Sequence, residues 1–288
     1  MSRRVLVPGL VALLVLGCEG GDGAVRLDHA GYPLPSEQTG GRIVSLSPSL
    51  TELLFAIGAG DRVVGRTRWC TYPAEVAAIP SVGDGLEPNL ELILARTPDL
   101  VVFYHTAANA AAIERLRQVG VATISLRMDR LADVPVGARL LGRVLGLSPR
   151  ADSLAAAFEA ERERRRGVPA DSGPGVLVLT WDAPPIVIGA GSFLTELLTL
   201  AGAHNVFGDL PQPSVSVSLE AIAARDPDIV LLAGGAPPTF VQRPEWQSVR
   251  AVRERRFARV DGSAFSWPSP RSLSAVDELA AAIGAVRR

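Results

Sequence analysis

The 288-residue sequence contains no lysine; its 29 basic residues are all arginine. A nucleotide-binding P-loop, whose lysine reaches the phosphates, is therefore excluded. Histidine is nearly as scarce. His29, His105 and His204 are scattered along the chain, and none has an obvious serine or carboxylate partner beside it in sequence. A histidine metal site would need a denser set of ligands, so neither a metal centre nor catalytic residues are expected. Cysteine is limited to Cys18 and Cys70, too few for a disulfide framework or a zinc-type pair. The net charge is −1, and nothing marks a nucleic-acid partner. Two glycine-rich stretches fail as catalytic or nucleotide motifs. "GAGSF" at 189–193 lacks the second glycine of a nucleophile elbow, and "GAGDRVVG" at 58–65 follows a helix instead of opening one.

What is present is apolar material: 48% hydrophobic residues against 20% charged, enough for one large core or two medium ones. Residues 1–17 read as a signal peptide, with Arg3 and Arg4 ahead of a run from Val5 to Leu16 too short to span a membrane comfortably. Val15-Leu16-Gly17-Cys18 is similar to a bacterial lipobox, which makes Cys18 the expected lipidation site; the alternative is an ordinary signal peptide with a chance cysteine. Residues 18–41 are expected to form a lipid-anchored tether, "VRLDHAGYPL" within it reading as a small hairpin. An exported, membrane-anchored envelope lipoprotein follows from that reading. Cys70 reads most simply as a small buried side chain.

From residue 42 the chain alternates short apolar strands with helices, the pattern of a parallel α/β sheet. Strands are predicted at 43–46, 63–64, 100–104, 121–126, 175–180, 186–188 and 229–233. Helices are predicted at 50–57, 90–96, 108–119, 193–201, 219–225 and near 272–286. Between 131 and 167 two helical segments follow one another with no strand between them. Two segments recur in order. "LTELLFAIGA" at 50–59 returns as "LTELLTLAGA" at 194–203, and "LELILARTPDLVVF" at 90–103 returns as "LEAIAARDPDIVLL" at 219–232. The fold expected is α/β: two similar lobes with mainly parallel sheets, joined by one long bridging helix, with a ligand cleft between them.

Ligands of open α/β sheets bind beyond the carboxyl ends of the strands, so the loops there should carry the function. Those loops hold scarce aromatics: Trp69, Tyr72, Tyr104, Trp181 and Trp267. Rings there suit a large, partly apolar ligand, although some could instead fill the lobes' own cores. Ser47, after the first strand, and Arg271, in "SPR" ahead of the last helix, complete the candidate ligand contacts. Trp246 is left to packing or surface. An envelope hydrolase using Ser47 and His105 is the alternative from another class.

From "RIVSLSPSLTELLFAIGAGDRVVG" through "WCTYP", "NLELILARTPDLVV" and "SLEAIAARDPDIVLLAGG" to "SPR", the chain resembles the periplasmic binding proteins of ABC importers for cobalamin and ferric siderophores. It is most like the cobalamin-binding branch, through the Tyr-Pro after the second strand and the Trp and Pro-Arg near the end. The resemblance implies an N-terminal lobe over 42–149, a bridging helix over 150–168, a C-terminal lobe over 169–288, and only a modest change of shape on binding. It implies capture of cobalamin, or alternatively of a ferric siderophore or haem, as transported ligand and not as cofactor, by a monomer that delivers it to a dimeric ABC permease. Family members dock through one acidic residue per lobe, and Glu91 and Glu220 match those positions. Each also falls just after a helix N-cap, Asn89 or Ser218, where the helix dipole favours an acid on its own account.

Overall fold

The computed structural model describes residues 26–36, 38–166, 173–233, 239–260 and 263–286. The signal segment and Cys18 lie outside them. Among the described residues, the N-terminal lobe runs through β1 (Ile43–Ser45), α1 (Pro48–Ala56), β2 (Val63–Arg66), α2 (Leu90–Leu94), β3 (Leu100–Tyr104), α3 (Ala110–Gln118), β4 (Ala122–Leu126) and α4 (Asp133–Val144). The bridging helix α5 (Ser148–Arg164) packs along α4. The C-terminal lobe follows with β5 (Gly175–Asp182), β6 (Pro185–Ile188), α6 (Phe193–Leu200), β7 (His204–Asn205), β8 (Ser214–Ser216), α7 (Leu219–Arg225), β9 (Ile229–Ala233), α8 (Arg250–Arg253), β10 (Phe257–Val260) and α9 (Ala275–Val286).

The first sheet is wholly parallel, in the order β2-β1-β3-β4. Its central strand β3, Leu-Val-Val-Phe-Tyr, is a continuous apolar run because both of its faces are covered. The second sheet has the order β10-β9-β5-β6-β8, and only β5, β9, β10 and the short β7 are parallel. β6 and β8 are antiparallel additions at one edge. β7, β8, α8 and β10 were not anticipated. They are short, and β8 reads Ser-Val-Ser, too polar to register as an apolar strand.

The segment repeated at 90–103 and 219–232 builds the same piece twice. Asn89 and Ser218 cap α2 and α7 through side-chain oxygens that accept from Leu92 N and Ala221 N. Each helix is left through a residue forced into the left-handed region, Thr97 (φ 47°) and its counterpart Asp226 (φ 42°), followed by a buried proline. The next aspartate then accepts from backbone N–H groups just ahead of the neighbouring strand. Asp99 takes those of Gly41 and Arg42 at 3.1 and 3.0 Å before β1, and Asp228 takes that of Gly175 at 2.9 Å at the start of β5. A donor at a strand start would otherwise lack a ladder partner. The Pro-Asp pair is therefore the joint that registers each helix-to-strand turn against its sheet.

Part of the expected tether is not a free linker. Residues 26–34 lie on the open edge of β4, closed by an antiparallel bridge between Leu27 and Pro33. Asp28, buried, accepts from Ala30 N, Tyr32 N and Ser125 N, all at 2.9 Å. His29 donates its backbone N–H to Ser125 O and accepts from Arg127 N through Nδ1 at 2.8 Å. The carboxylate and backbone of this segment occupy edge groups that an exposed strand leaves unpaired.

One apolar core crosses from lobe to lobe. Leu50 and Leu53 of α1, Ala155 and Phe158 of α5, and Val178, Phe193 and Leu197 of the second lobe belong to a single buried cluster. Smaller cores back each sheet, and Trp246 belongs to one of them, its ring centroid 4.4 Å from that of Phe240. Among the described residues no helix is long and apolar enough to cross a membrane.

Candidate functional site

A cleft of about 430 Å³ opens between the lobes at the strand ends. Ser47 enters it from the β1–α1 turn, Trp69 from the loop after β2, Tyr104 from the end of β3, and Trp267 from the segment ahead of α9. These four expected residues come together. Trp69 keeps 53% of its surface exposed, with the Arg68 guanidinium 5.0 Å from its ring centre, whereas Trp267 is held by a hydrogen bond. The Trp267 Nε1 donates to Glu52 at 3.0 Å.

Tyr72 and Arg271 sit beside this cleft in an adjoining depression. The guanidinium of Arg271 lies 3.6 Å from the centre of the Tyr72 ring and forks onto Glu52 at 2.8 and 2.7 Å. The Glu52 carboxylate, whose residue is only 3% exposed, raises the arginine's affinity for its proton, chiefly through these hydrogen bonds. Arg271 thus acts as an anchor between lobes rather than a free cation in the cleft. Trp181 is elsewhere. β5 runs on past the expected strand end into a hairpin with β6, and a register shift between Leu179 and Trp181 turns the indole outward. It is 60% exposed, donating Nε1 to Ala183 O at 2.9 Å.

Much of the wall went unanticipated: Asp84, Gly85, Met128, Asp129, Ser192 and Phe193. All but Phe193, the first residue of α6, occupy loops between the elements, where the general rule for α/β sheets places ligand contacts. Gly85 is there of necessity, since φ is +85° and a Cβ would fall 2.5 Å from Leu46 O. Asp84 accepts from Leu86 N and Glu87 N, which hold its carboxyl below the usual range, and pairs with Arg68 at 3.3 Å. Asp129 accepts from the Tyr104 hydroxyl at 2.5 Å. Burial, seconded by that bond, pushes the phenol's pKa well up. The wall is therefore largely apolar, with hydroxyls and two carboxylates, and none of its described residues is basic.

The second repeat also has a structural use. Glu52 and its counterpart Glu196 both tie the lobes together, Glu52 to Trp267 and Arg271, Glu196 to Arg130 at 2.6 Å and to Arg162 of α5 at 3.2 Å. Ser49 Oγ also donates to Pro268 O, and Phe193 N to Asp129 O at 3.1 Å.

His105 does not serve the cleft. It pairs with Ser125 at 3.2 Å and faces His29 with 6.3 Å between ring centroids, so the Ser47–His105 hydrolase arrangement is not formed. His204 reaches Gly173 O at 3.1 Å. Cys70 is buried between Thr51 and Thr67, each hydroxyl 3.1 Å from its sulfur. Glu91 and Glu220 are exposed in the first turns of α2 and α7, each helix beginning shortly after a segment that lines the cleft (Leu86 and Pro213). Its own backbone N–H and the Ser218 hydroxyl hold the Glu220 carboxyl below its ordinary pKa.

Two α/β lobes joined by one bridging helix face each other across a cleft of the kind that takes a ligand. Residues 43–264 match the family described as periplasmic binding protein, and the chain belongs to that family of ABC-transporter substrate-binding proteins, which are not enzymes. It is 30% identical over 251 residues, 84% of this chain and 79% of the relative, to an uncharacterized ABC transporter substrate-binding lipoprotein, YvrC, of Bacillus subtilis strain 168. It is 27% identical to the vitamin B12-binding protein of Pectobacterium carotovorum strain PC1, covering 89% of this chain and 91% of that one. The apo form of the periplasmic heme-binding protein RhuT from Roseiflexus superposes with a TM-score of 0.76 at 27% identity, over 88% of this chain and all of that one. The vitamin B12-binding protein BtuF of Vibrio cholerae shares the fold, with a TM-score of 0.72 at 22% identity over 89% of this chain and all of that one.

Proposed function

We propose that this chain captures a cobalamin-like ligand outside the cytoplasm and delivers it to an ABC permease, docking through Glu91 and Glu220 and held to the membrane by a lipid on Cys18. The observation that carries the ligand class is the wall of the cleft. It combines Trp69, Trp267 and Phe193 with serine hydroxyls and two carboxylates, each beside an arginine partner: Arg68 lies 3.3 Å from Asp84, and Arg127 lies 4.0 Å from Asp129. A corrinoid offers a broad apolar body fringed with neutral amides, whose N–H groups suit carboxylate and hydroxyl acceptors. Haem propionates or a carboxylate siderophore would want basic partners, and the arginines nearest this wall, Arg68 and Arg127, already face its own carboxylates, Asp84 and Asp129. Tyr104 is also poorly suited to bind ferric iron as a phenolate, because burial and Asp129 favour its protonated form. The vitamin B12-binding relatives favour the same reading, and the lipoprotein relative favours the anchor.

The test is titration of purified protein with cyanocobalamin, haemin and a ferric hydroxamate, followed by tryptophan fluorescence and calorimetry. Saturable one-to-one binding of cyanocobalamin, tighter than that of the other two, is the expected result. Preferential binding of haemin or the hydroxamate would overturn the ligand assignment.

A further inference from the structure

We infer that the ligand site has two connected compartments, and that the smaller one, inside the C-terminal lobe, receives a neutral aromatic arm of the ligand. This rests on the reading of the interlobe cleft as the ligand site. A second cavity of about 330 Å³ lies at the ends of β5, β9 and β10. Val178, Ile188, Leu231, Val260 and Phe265 form its apolar wall, and Thr180, Ser192 and Ser266 contribute hydroxyls. Ser192, Phe193 and Ser266 line the main cleft as well, so the two spaces meet across one shared wall at the start of α6.

The chemistry of the smaller space selects its occupant. Among the described residues no charged side chain lines it, which disfavours a charged arm because an unpaired ion loses its hydration without recovering it. Its walls are aliphatic and phenyl, so a flat apolar ring gains contact there. The hydroxyls of Ser192 and Ser266 stand where the compartments join and can meet a ring nitrogen or the linker behind it. The volume exceeds that of several water molecules at about 30 Å³ each and is ample for a fused bicyclic ring. A ligand built as a large body with a tethered heteroaromatic arm fills both spaces; a disc without an arm leaves the smaller one to solvent.

The test compares cyanocobalamin with cobinamide, which keeps the corrin body and lacks the benzimidazole arm together with the ribose and phosphate that tether it, in the wild type and in Thr180→Phe. Thr180 is exposed at the rim of the smaller cavity, so a phenyl group there narrows it without entering the core. The wild type should prefer cyanocobalamin by about tenfold or more, the scale of burying a mostly apolar ring. Thr180→Phe should erase that preference while leaving cobinamide binding unchanged. Equal wild-type affinities, or a preference that survives the substitution, would overturn the assignment. 5,6-Dimethylbenzimidazole alone, soaked into crystals of the wild type, gives an independent measurement. Density beside Leu231 and Phe265 supports the compartment, and its absence there refutes it. If neither corrinoid binds but the free base occupies this cavity, the cobalamin reading falls and the compartment stands.

Discussion

Removing either partner of the Glu52–Arg271 pair should not cost the same. Glu52 is 3% exposed and accepts three hydrogen bonds, two from Arg271 and one from Trp267. The Arg271 side chain is 25% exposed and also lies over the Tyr72 ring. In Glu52→Ala the arginine keeps part of its hydration and its aromatic partner, so the loss should be about 2–3 kcal/mol, below the usual range for an orphaned buried charge. In Arg271→Met the carboxylate is stranded in the core with only the indole N–H, and the loss should reach about 3–5 kcal/mol. The double variant Glu52→Ala/Arg271→Met removes both charges and should be milder than Arg271→Met alone, a coupling that a double-mutant cycle reads directly. Urea unfolding at pH 7.5, followed by far-UV circular dichroism, measures all three. Trp267 loses its fixed orientation in Glu52→Ala, so ligand affinity should fall as well. An Arg271→Met variant as stable as Glu52→Ala, or a coupling energy near zero, would refute the claim that this pair is a buried tie between lobes.

Burial and Arg127 lower the His29 pKa from 6.5, and Nδ1 accepts a hydrogen bond only when unprotonated. The stability this gives the 26–34 segment is present above pH 6.5 and is lost as pH falls toward the folded-state pKa. Hydrogen exchange at Tyr32 N and Ser125 N, corrected for intrinsic rates, should therefore rise between pH 7.5 and 5 in the wild type and stay flat in His29→Gln. Trp69→Ala should weaken ligand binding by about 1–3 kcal/mol, whereas Trp181→Ala should leave it unchanged; the reverse order in calorimetry would place the ligand elsewhere. Glu91→Arg/Glu220→Arg should bind ligand normally, melt near the wild-type temperature and fail in vesicle uptake, because like charges set against the permease would repel. Continued uptake would reduce both acids to helix-terminus residues. Cys18→Ser should move the protein to the soluble envelope fraction, and a variant that resists a salt wash would show another anchor.

The two-lobe fold was legible because its signals are local and repeated. β3 is an unbroken apolar run, Asn89 and Ser218 are side-chain caps ahead of periodic segments, and the duplicated Pro-Asp joints announce the same turn twice. Pieces with weak local signals were missed, such as the polar β8; the small hairpin around Asp28 was anticipated, but its seat on the edge of β4 was not, because its contacts are made to Ser125, far away in sequence. The cleft was half legible. Ser47, Trp69, Tyr104 and Trp267 follow from the position of strand ends, but Trp181 was misplaced because a hairpin extension and a register shift are set by pairing with β6. Arg271 was identified as a residue of interest, while its partner Glu52 was read only as part of a repeated helix. A buried ion pair formed across 219 positions leaves no periodic trace.

The apolar cluster that runs unbroken through α1, α5 and α6 has a consequence for how the molecule comes apart. Two lobes on a flexible strap would melt as independent units, each with its own enthalpy. Here, pulling them apart exposes Leu53, Phe158 and Leu197 together, so neither lobe has a complete interior without the other. Scanning calorimetry should show one transition whose calorimetric and van't Hoff enthalpies agree. A fragment ending before α5 should not hold a native structure, and a nascent chain would reach its final packing only after α6 and α9 have been made.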